Sequence, residues 1–350
     1  MPLDVPVLDA HVHHWDPRST PRLVSPVVKV LGFNQRALHA VARRAFPKAM
    51  FAFVGKPDYV LGAYLPGDWH NDHAGFQTRG MIHVQAGWHD RTPLGPAGET
   101  RWLESACGSD LLGIVGEARL ESPHLAALLD AHAAASKRFC GVRDMTAWNE
   151  DPLVANFTSR DKRMLNPAWQ RGFALLAERG LTFDAWCYEP QLGDLDALLR
   201  AQPQTRVVLC HLGTPIGVGG PHAGQGATAQ ERERVIARWH DALSRLAENR
   251  QLHLKISGLA MPVLGFGFHE RTSPPTPSEL AEKFGPHVEH VLRAFGVDRC
   301  FFASNFPMDK VSAPWTSIFE AFAALTAGYD KGSRRKLFCE NAARFYGIEA

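Results

Sequence analysis

The stretch Val7-Leu8-Asp9-Ala10-His11-Val12-His13-His14-Trp15-Asp16 lies almost at the N-terminus and decides how the rest of the chain is interpreted. Its first six residues are apolar or β-branched with polar residues in one register, which predicts a strand. Alternate side chains of a strand share a face, so Asp9, His11 and His13 are predicted to point one way and His14 the other. Two imidazoles at this spacing can bind one divalent metal ion, or form a hydrogen-bonded pair without a metal.

The charge balance argues against nucleic acid or an anionic membrane as a partner. Among 350 residues, 38 Lys and Arg face 36 Asp and Glu, which gives a net charge of only +2. No apolar run approaches the length of a membrane span, and the N-terminus lacks a basic-then-apolar signal. The six cysteines are scattered without a CxxC pair, so neither disulfides nor a thiolate zinc site is expected. These features predict a cytoplasmic protein that acts on a small molecule.

Strand-like runs and helical segments alternate along the chain. After the first strand, further strands are predicted at residues 80–86, 112–118, 139–144, 181–186, 206–210, 252–258 and 300–305. The alternation predicts a parallel sheet, and eight repeats predict a closed (β/α)₈ barrel, the TIM barrel, as a single domain over residues 1–350. A doubly wound open sheet is the alternative.

Two insertions interrupt the predicted barrel. A long one follows the first strand, with a helix predicted at residues 35–46, and a loop insertion at 265–277 follows the seventh strand. A long excursion between barrel elements is typical of a functional lid or an oligomer contact. The chain is therefore also a candidate homo-oligomer.

Polar residues recur where the predicted strands end. The C-terminal ends of the strands line the active site in barrels of this kind, so these side chains are expected around one cavity. An open sheet would not explain their recurrence. They are His11, His13, Glu117, Arg143, Asp184, His211, Lys255 and Asn305.

These residues resemble the amidohydrolase superfamily, metal-dependent hydrolases on a (β/α)₈ barrel. The chain is similar to the amidohydrolase-related branch that contains sugar lactonases, 2-pyrone-4,6-dicarboxylate lactonase and sulfomuconolactonase. The resemblance runs from the first strand to the last. Its motifs are Asp9-Ala10-His11-Val12-His13 with Trp15-Asp16, Gly141-Val142-Arg143, Phe183-Asp184, His211-Leu212-Gly213, Lys255-Ile256-Ser257-Gly258 and Phe302-Ala303-Ser304-Asn305-Phe306-Pro307.

The departures from the superfamily pattern limit the metal site. The usual ligands are a lysine or glutamate on the fourth strand, a histidine on the fifth and an aspartate on the eighth. Here those strands offer Arg143, then Asp184 or Trp186, then Asn305. The resemblance therefore implies at most one metal ion, most simply zinc, with ligands drawn from His11, His13, His211 and Glu117. Some members of this branch work without a metal.

Further roles follow from side-chain chemistry. The planar fork of Arg143 suits a substrate carboxylate, although a salt bridge to Glu117 or Asp184 is the competing interpretation. Trp15, Trp88 and Trp186 at strand ends are candidates for pocket walls or for core packing. Lys255 and His269 are candidate substrate-binding residues. Lys255 has a structural alternative, pairing with a buried acid.

The predicted reaction is opening of a lactone or related cyclic ester, of a small molecule that carries a carboxylate, by metal-activated water. The candidate catalytic residues are His211, Arg143, Asp184 and Asn305. Because an asparagine cannot accept a proton near neutral pH, Asn305 would orient water or donate to the oxyanion. The base would then be metal-activated water or an acid such as Asp184 or Glu117. The alternatives are a metal-dependent decarboxylase of an aromatic or muconate-type acid, and a catalytically silent ligand-binding barrel.

Overall fold

Eight parallel strands, each paired with its neighbour in chain order, form one sheet in the computed structural model, which describes residues 3–349. The sheet closes where Val12 bridges Phe306, just beyond the last strand, and the His13 amide donates to the Phe306 carbonyl at 2.8 Å. The predicted (β/α)₈ barrel is confirmed. The strands are β1 (Val7–Val12), β2 (Thr78–Val84), β3 (Leu111–Glu117), β4 (Phe139–Arg143), β5 (Thr182–Ala185), β6 (Val207–Cys210), β7 (Leu252–Ile256) and β8 (Cys300–Phe302).

Fourteen α-helices lie within the described residues, and those after β2 surround the barrel. None of the helices in residues 3–349 is long and apolar enough to cross a membrane. The helices are α1 (Ser25–Leu31), α2 (Gln35–Ala45), α3 (Lys48–Val54), α4 (Asp58–Leu61), α5 (Pro66–Asp72), α6 (Ala97–Ala106), α7 (Leu125–Ala135), α8 (Pro167–Glu178), α9 (Leu192–Ala201), α10 (Ala229–Leu246), α11 (Pro277–Phe295), α12 (Trp315–Leu325), α13 (Lys331–Arg335) and α14 (Asn341–Tyr346).

The insertion after β1 folds into the five short helices α1 to α5. The helix predicted at residues 35–46 is α2, which begins where the Asn34 side chain accepts a hydrogen bond from the Ala37 amide at 3.1 Å. The other four have seven residues or fewer, so they offer too few turns for a helical period to be visible in the sequence. Their tertiary contacts, rather than propensity, fix them as helices.

The predicted common face of Asp9 and His11 is wrong. The pairing of β1 with β2 shifts register between Asp9 and Val12, and such an irregularity changes which way the following side chains point. Asp9 accepts hydrogen bonds from the indoles of Trp315 at 2.8 Å and Trp69 at 3.3 Å, on helices outside the strands. His11 instead faces the barrel interior.

The N-terminal end of the barrel is filled and covered. Apolar strand residues such as Leu8, Val208 and Phe301 pack against α14 and the turn before it, in a cluster that includes Phe345 and Tyr346. A larger cluster joins the outer faces of the strands to the helices. The opposite end, where the strands terminate, is left for polar side chains.

Candidate active site

His11 and His13 at the end of β1 form a hydrogen-bonded pair. Their Nε2 atoms are 3.1 Å apart. Nδ1 of His13 donates to the Val84 carbonyl at 2.6 Å, and Nδ1 of His11 lies 3.2 Å from the Lys255 ammonium, which can only donate. Arg143, which also can only donate, approaches Nε2 of His11 less closely, at 3.4 Å. The shorter contacts therefore favour one proton on Nε2 of His11 and leave Nε2 of His13 as a bare acceptor.

His211 follows β6 and stands beside this pair. Its ring centroid is 4.5 Å from that of His11, and its Nδ1 lies 2.9 Å from the Ser257 hydroxyl. His211 has a φ of 55°, a left-handed conformation that costs a non-glycine residue free energy and is concentrated at functional sites. Gly258 permits the approach, because a Cβ there would lie 2.6 Å from the His211 ring.

All three imidazoles are neutral in the folded protein. Burial lowers the pKa of His11, His13 and His211 well below the ordinary value. The positive charge of Arg143 adds to the effect on all three, and that of Lys255 adds to it on His11 and His211. A neutral imidazole is the form that binds a metal ion.

A buried ionic cluster lies beneath the histidines. Lys255 donates to Asp184 at 2.8 Å, and the Tyr346 hydroxyl lies 2.8 Å from both. All three side chains are fully or almost fully buried, and Asp184 also accepts a weak bond from the Cys210 thiol at 3.5 Å. Asp184 is thus saturated by internal donors, and neither it nor Lys255 lines the cavity described below.

The chemistry of the donor groups suits one zinc-class ion at the histidines and none at the cluster below, although the ligand atoms of His11, His13 and His211 do not all lie within 4.8 Å of one another. Nδ1 of His13 bonds a backbone carbonyl and Nδ1 of His211 a hydroxyl, the arrangement usual for metal-binding histidines. Nε2 of each ring is then unprotonated, although that of His13 accepts the bond from His11. Within residues 3–349, however, the trio whose ligand atoms lie within 4.8 Å of one another is His11, Asp184 and Cys210. The Lys255 ammonium sits between two of them, so that position already holds a cation.

Arg143 at the end of β4 spans the site. One of its terminal nitrogens donates to the Gln85 carbonyl at 2.6 Å, and the other lies 3.4 Å from Nε2 of His11. Its Nε is buried without a partner among the described residues. Neither salt bridge considered from the sequence, to Glu117 or to Asp184, is formed.

Asn305 follows β8 with a φ of 59°, a conformation that asparagine tolerates. Its amide nitrogen donates to Asp309 at 2.9 Å, and the second Asp309 oxygen accepts from the Ala260 amide at 3.1 Å. Burial raises the pKa of Asp309 to about 7. Asp309 therefore orients the Asn305 amide, whose second hydrogen and carbonyl oxygen remain for the cavity.

A cavity of about 310 Å³, a size suited to a small organic ligand, has a polar end formed by His13, Arg143, His211 and Asn305, whereas His11 does not line it. The insertion supplies much of its apolar wall, including Met50, Phe53 and Val54 from α3. Among the predicted site residues, those that line it are His13, Trp15, Arg143, Trp186, His211 and Asn305.

The remaining predicted residues lie elsewhere. Glu117 and Trp88 line an adjoining cavity of about 460 Å³, where burial, aided by Glu99 and Asp144, raises the pKa of Glu117 to about 7. His269 lies on a turn after β7 and packs against the backbone at Gly55. The structure therefore does not bring Glu117 or His269 into the histidine cavity.

Three residues of the site were missed in the sequence. Gln85 lines both cavities, Ser257 holds His211, and Arg22 stacks on Trp15 with its guanidinium 4.6 Å from the ring centroid. The sequence could have indicated Gln85 and Ser257, because each is a polar residue that directly follows an apolar strand. Arg22 lies in the insertion, where no strand end marks it.

The comparisons with known proteins agree with this architecture. The family model described as "Amidohydrolase" matches residues 8–348. The protein y4mH of Sinorhizobium fredii, described as uncharacterised, is 31% identical over 347 residues, 99% of each chain. L-fucono-1,5-lactonase of Burkholderia ambifaria is 28% identical over 265 residues, 72% of this chain and 76% of that protein. A crystal structure of an amidohydrolase from Burkholderia multivorans with bound zinc has a TM-score of 0.70 at 21% identity, covering 99% of this chain and 100% of that one.

Proposed function

The chain belongs to the amidohydrolase family, and from that premise we propose that this hydrolase opens a lactone or related cyclic ester bearing a carboxylate. One observation carries the proposal. The cavity of about 310 Å³ combines neutral histidines and one buried arginine at its polar end with apolar side chains elsewhere. Such a cavity suits a compact, mostly apolar ring with one anionic group.

We propose that one divalent ion of the zinc class is held by His13 and His211, with His11 as the third ligand once its Nε2 proton has moved. When bound, such an ion polarises a carbonyl and acidifies water. The imidazole donors support zinc over magnesium or calcium, which prefer oxygen ligands. Their location at strand ends of the barrel supports it as well.

The protein's own residues would then position the ester. Arg143 lines the cavity and has an unpartnered Nε, so its guanidinium can hold a substrate carboxylate beside the histidines. Asn305, held by Asp309, offers an amide hydrogen to the oxygen that becomes negative in the transition state. The apolar wall from α3 excludes bulk water.

A lactone suits this arrangement better than an amide does. Its alkoxide leaving group departs with less acid assistance than an amine, and the groups that line the cavity include no titrating carboxylate. The similarity to a lactonase over 72% of the chain supports the same reaction class.

Product analysis tests the proposal. Purified protein is incubated with a panel of carboxylate-bearing lactones and with aromatic carboxylic acids, and released acid and CO₂ are both measured. We expect stoichiometric acid from lactones without gas. CO₂ from an aromatic acid would show a decarboxylase instead, and no turnover of either panel would indicate a barrel that only binds its ligand.

A further inference from the structure

A second cavity of about 460 Å³ abuts the histidine cavity and has a different chemical character. The wall between them is shared, because five residues line both. They are Leu23, Gln85, Gly87, Met145 and Phe157. The two cavities are therefore separated by a single layer of side chains, and an extension of a ligand in the histidine cavity would pass this layer to enter the second.

Gln85 in the shared wall has a donor without an acceptor. The residue is 1% exposed, and its Oε1 accepts from the Gly87 amide at 2.9 Å. Its Nε2 is buried and has no partner within residues 3–349. A buried donor left unpaired costs about 1 to 3 kcal/mol, so an acceptor oxygen of a ligand at this point would be favoured.

The charges around the second cavity are unevenly compensated. Arg163 is neutralised by Glu121 and Asp144, each at 2.8 Å. At the exposed mouth, the Arg119 side chain makes no hydrogen bond or ion pair to the described residues, and Arg91 contacts only His89, at 3.0 Å. The mouth therefore presents two guanidinium groups that form no ion pair with the described residues, although the charge of Arg91 also acts on the nearby Glu117.

The floor of the cavity opposes an anion. The Glu117 carboxyl lies there, half-buried, without a hydrogen-bond partner for its side chain among the described residues. A negatively charged ligand group is consequently directed away from the floor and toward Arg119 and Arg91. A neutral hydroxylated group would leave both guanidinium groups without an ion pair, so a carboxylate is favoured at the mouth.

We propose that the second cavity binds a carboxylate-ended arm of the substrate. An acceptor oxygen of the arm takes the free hydrogen of Gln85, and the terminal carboxylate binds Arg119 and Arg91. The ring to be opened stays against the histidines. This inference rests on the proposed function, and it adds the substrate class: a lactone that carries a flexible anionic extension in addition to the ring carboxylate held by Arg143.

Equilibrium binding of product acids tests the arm site without relying on catalysis. The probes are two ring-opened dihydrocoumarins that carry the same short arm, ended either in a carboxylate or in a primary alcohol, and their Kd values are measured by calorimetry. We expect the carboxylate arm to bind about fivefold more tightly, as two partly exposed ion pairs allow. The double variant Arg91→Gln/Arg119→Gln should lose that preference. Arg171→Gln, an exposed arginine on α8 outside both cavities, should keep it.

Each result decides the arm site separately from the reaction. Equal or tighter binding of the alcohol arm, a preference that survives the double variant, or no binding of the carboxylate-armed acid at millimolar concentration overturns the inference. A preference for the carboxylate arm that the native protein and Arg171→Gln show and the double variant loses supports it. Hydrolysis of the corresponding lactones is scored independently, so an arm preference without turnover would reject the lactonase proposal and leave the arm site standing.

Discussion

The Lys255 ammonium lies 3.2 Å from Nδ1 of His11 and 2.8 Å from the Asp184 carboxylate, and these contacts decide which nitrogen of His11 carries the proton. Lys255 can only donate, and it approaches His11 more closely than Arg143, which lies 3.4 Å from Nε2. The neutral His11 ring is therefore protonated at Nε2 and bonds the bare Nε2 of His13. A metal ion at Nε2 of His11 would require that proton to move to Nδ1, opposite the ammonium.

Removing the lysine should therefore strengthen metal binding. In Lys255→Met, Nδ1 of His11 can carry its proton near Asp184, whose nearest oxygen lies within 4.8 Å, in the carboxylate–histidine arrangement that favours metal binding. We expect the zinc affinity, measured by competition with a chromophoric chelator, to rise about tenfold.

The unpaired Asp184 would cost about 3 to 5 kcal/mol of folding free energy. Lys255→Met/Asp184→Asn avoids that charge and should also bind zinc more tightly than the native protein. Lys310→Met, which breaks a surface pair with Asp72, is the matched control. An unchanged or weaker affinity in both Lys255 variants would show that Lys255 does not compete with the ion.

The histidine set predicts a single metal ion per chain. Protein purified without chelator should contain about one zinc, and replacement of His11, His13 and His211 by alanine should abolish it while the far-ultraviolet circular dichroism of the barrel persists. His124→Ala, an exposed histidine before α7, should retain the metal. Absence of stoichiometric metal from the native protein would contradict the assignment.

The sequence predicted the fold well because apolar periodicity and chain order suffice for a barrel. It placed the ends of the strands less well. The last predicted strand, 300–305, ends at Phe302 in the structure, and Asn305 adopts a left-handed conformation that no strand accommodates. Small polar residues after an apolar run do not reveal that change of backbone in a sequence.

The candidate site was predicted only in part. A residue's position at the end of a strand does not show which way its side chain points or how deep in the barrel it lies. Asp184 and Lys255 lie within their strands and point into the barrel beneath the site, where each compensates the other. Glu117 ends its strand yet faces the neighbouring cavity. The register irregularity in β1, which separates Asp9 from His11, depends on pairing with β2 and leaves no mark in the sequence.

Arg143 is predicted to recognise the substrate carboxylate. Arg143→Lys keeps the positive charge but loses both the bond to the Gln85 carbonyl and the planar fork. We expect kcat/KM for carboxylate-bearing lactones to fall about tenfold or more, as the loss of a charge-assisted hydrogen bond implies, while neutral lactones of the same ring lose less. Steady-state kinetics on matched pairs measures the ratio. An equal loss for both kinds would make Arg143 a structural residue.

Asn305 is predicted to donate to the developing oxyanion. Asn305→Ala should lower kcat by a factor of about 100 to 1000, the effect of losing one such donor. Asn305→Asp should not restore turnover. The Asn305 amide nitrogen lies 2.9 Å from an oxygen of the Asp309 carboxyl group, so the substitution would set two carboxyl groups against each other and remove the donor. The acidic limb of the pH–rate profile should persist in Asn305→Ala, since this amide does not titrate. A fully active alanine variant would leave the mechanism without its oxyanion donor.

Glu117 predicts a pH dependence of folding that is separate from catalysis. Burial raises its pKa to about 7 from an ordinary 4.5, so between these pH values the folded chain holds a proton that the unfolded chain has released. The free energy of unfolding therefore falls as the pH rises through this window. Above pH 7 the folded protein bears the full cost of an ionised, buried Glu117. Glu117→Gln removes this cost, and should be more stable than the native protein at pH 8 by about 1 to 3 kcal/mol but not at pH 4.5.

Urea denaturation at the two pH values measures the difference, with the exposed Glu233→Gln as the control. If Glu117→Gln gains nothing at pH 8, the carboxylate is already stabilised there, and the second cavity is more polar than its lining indicates.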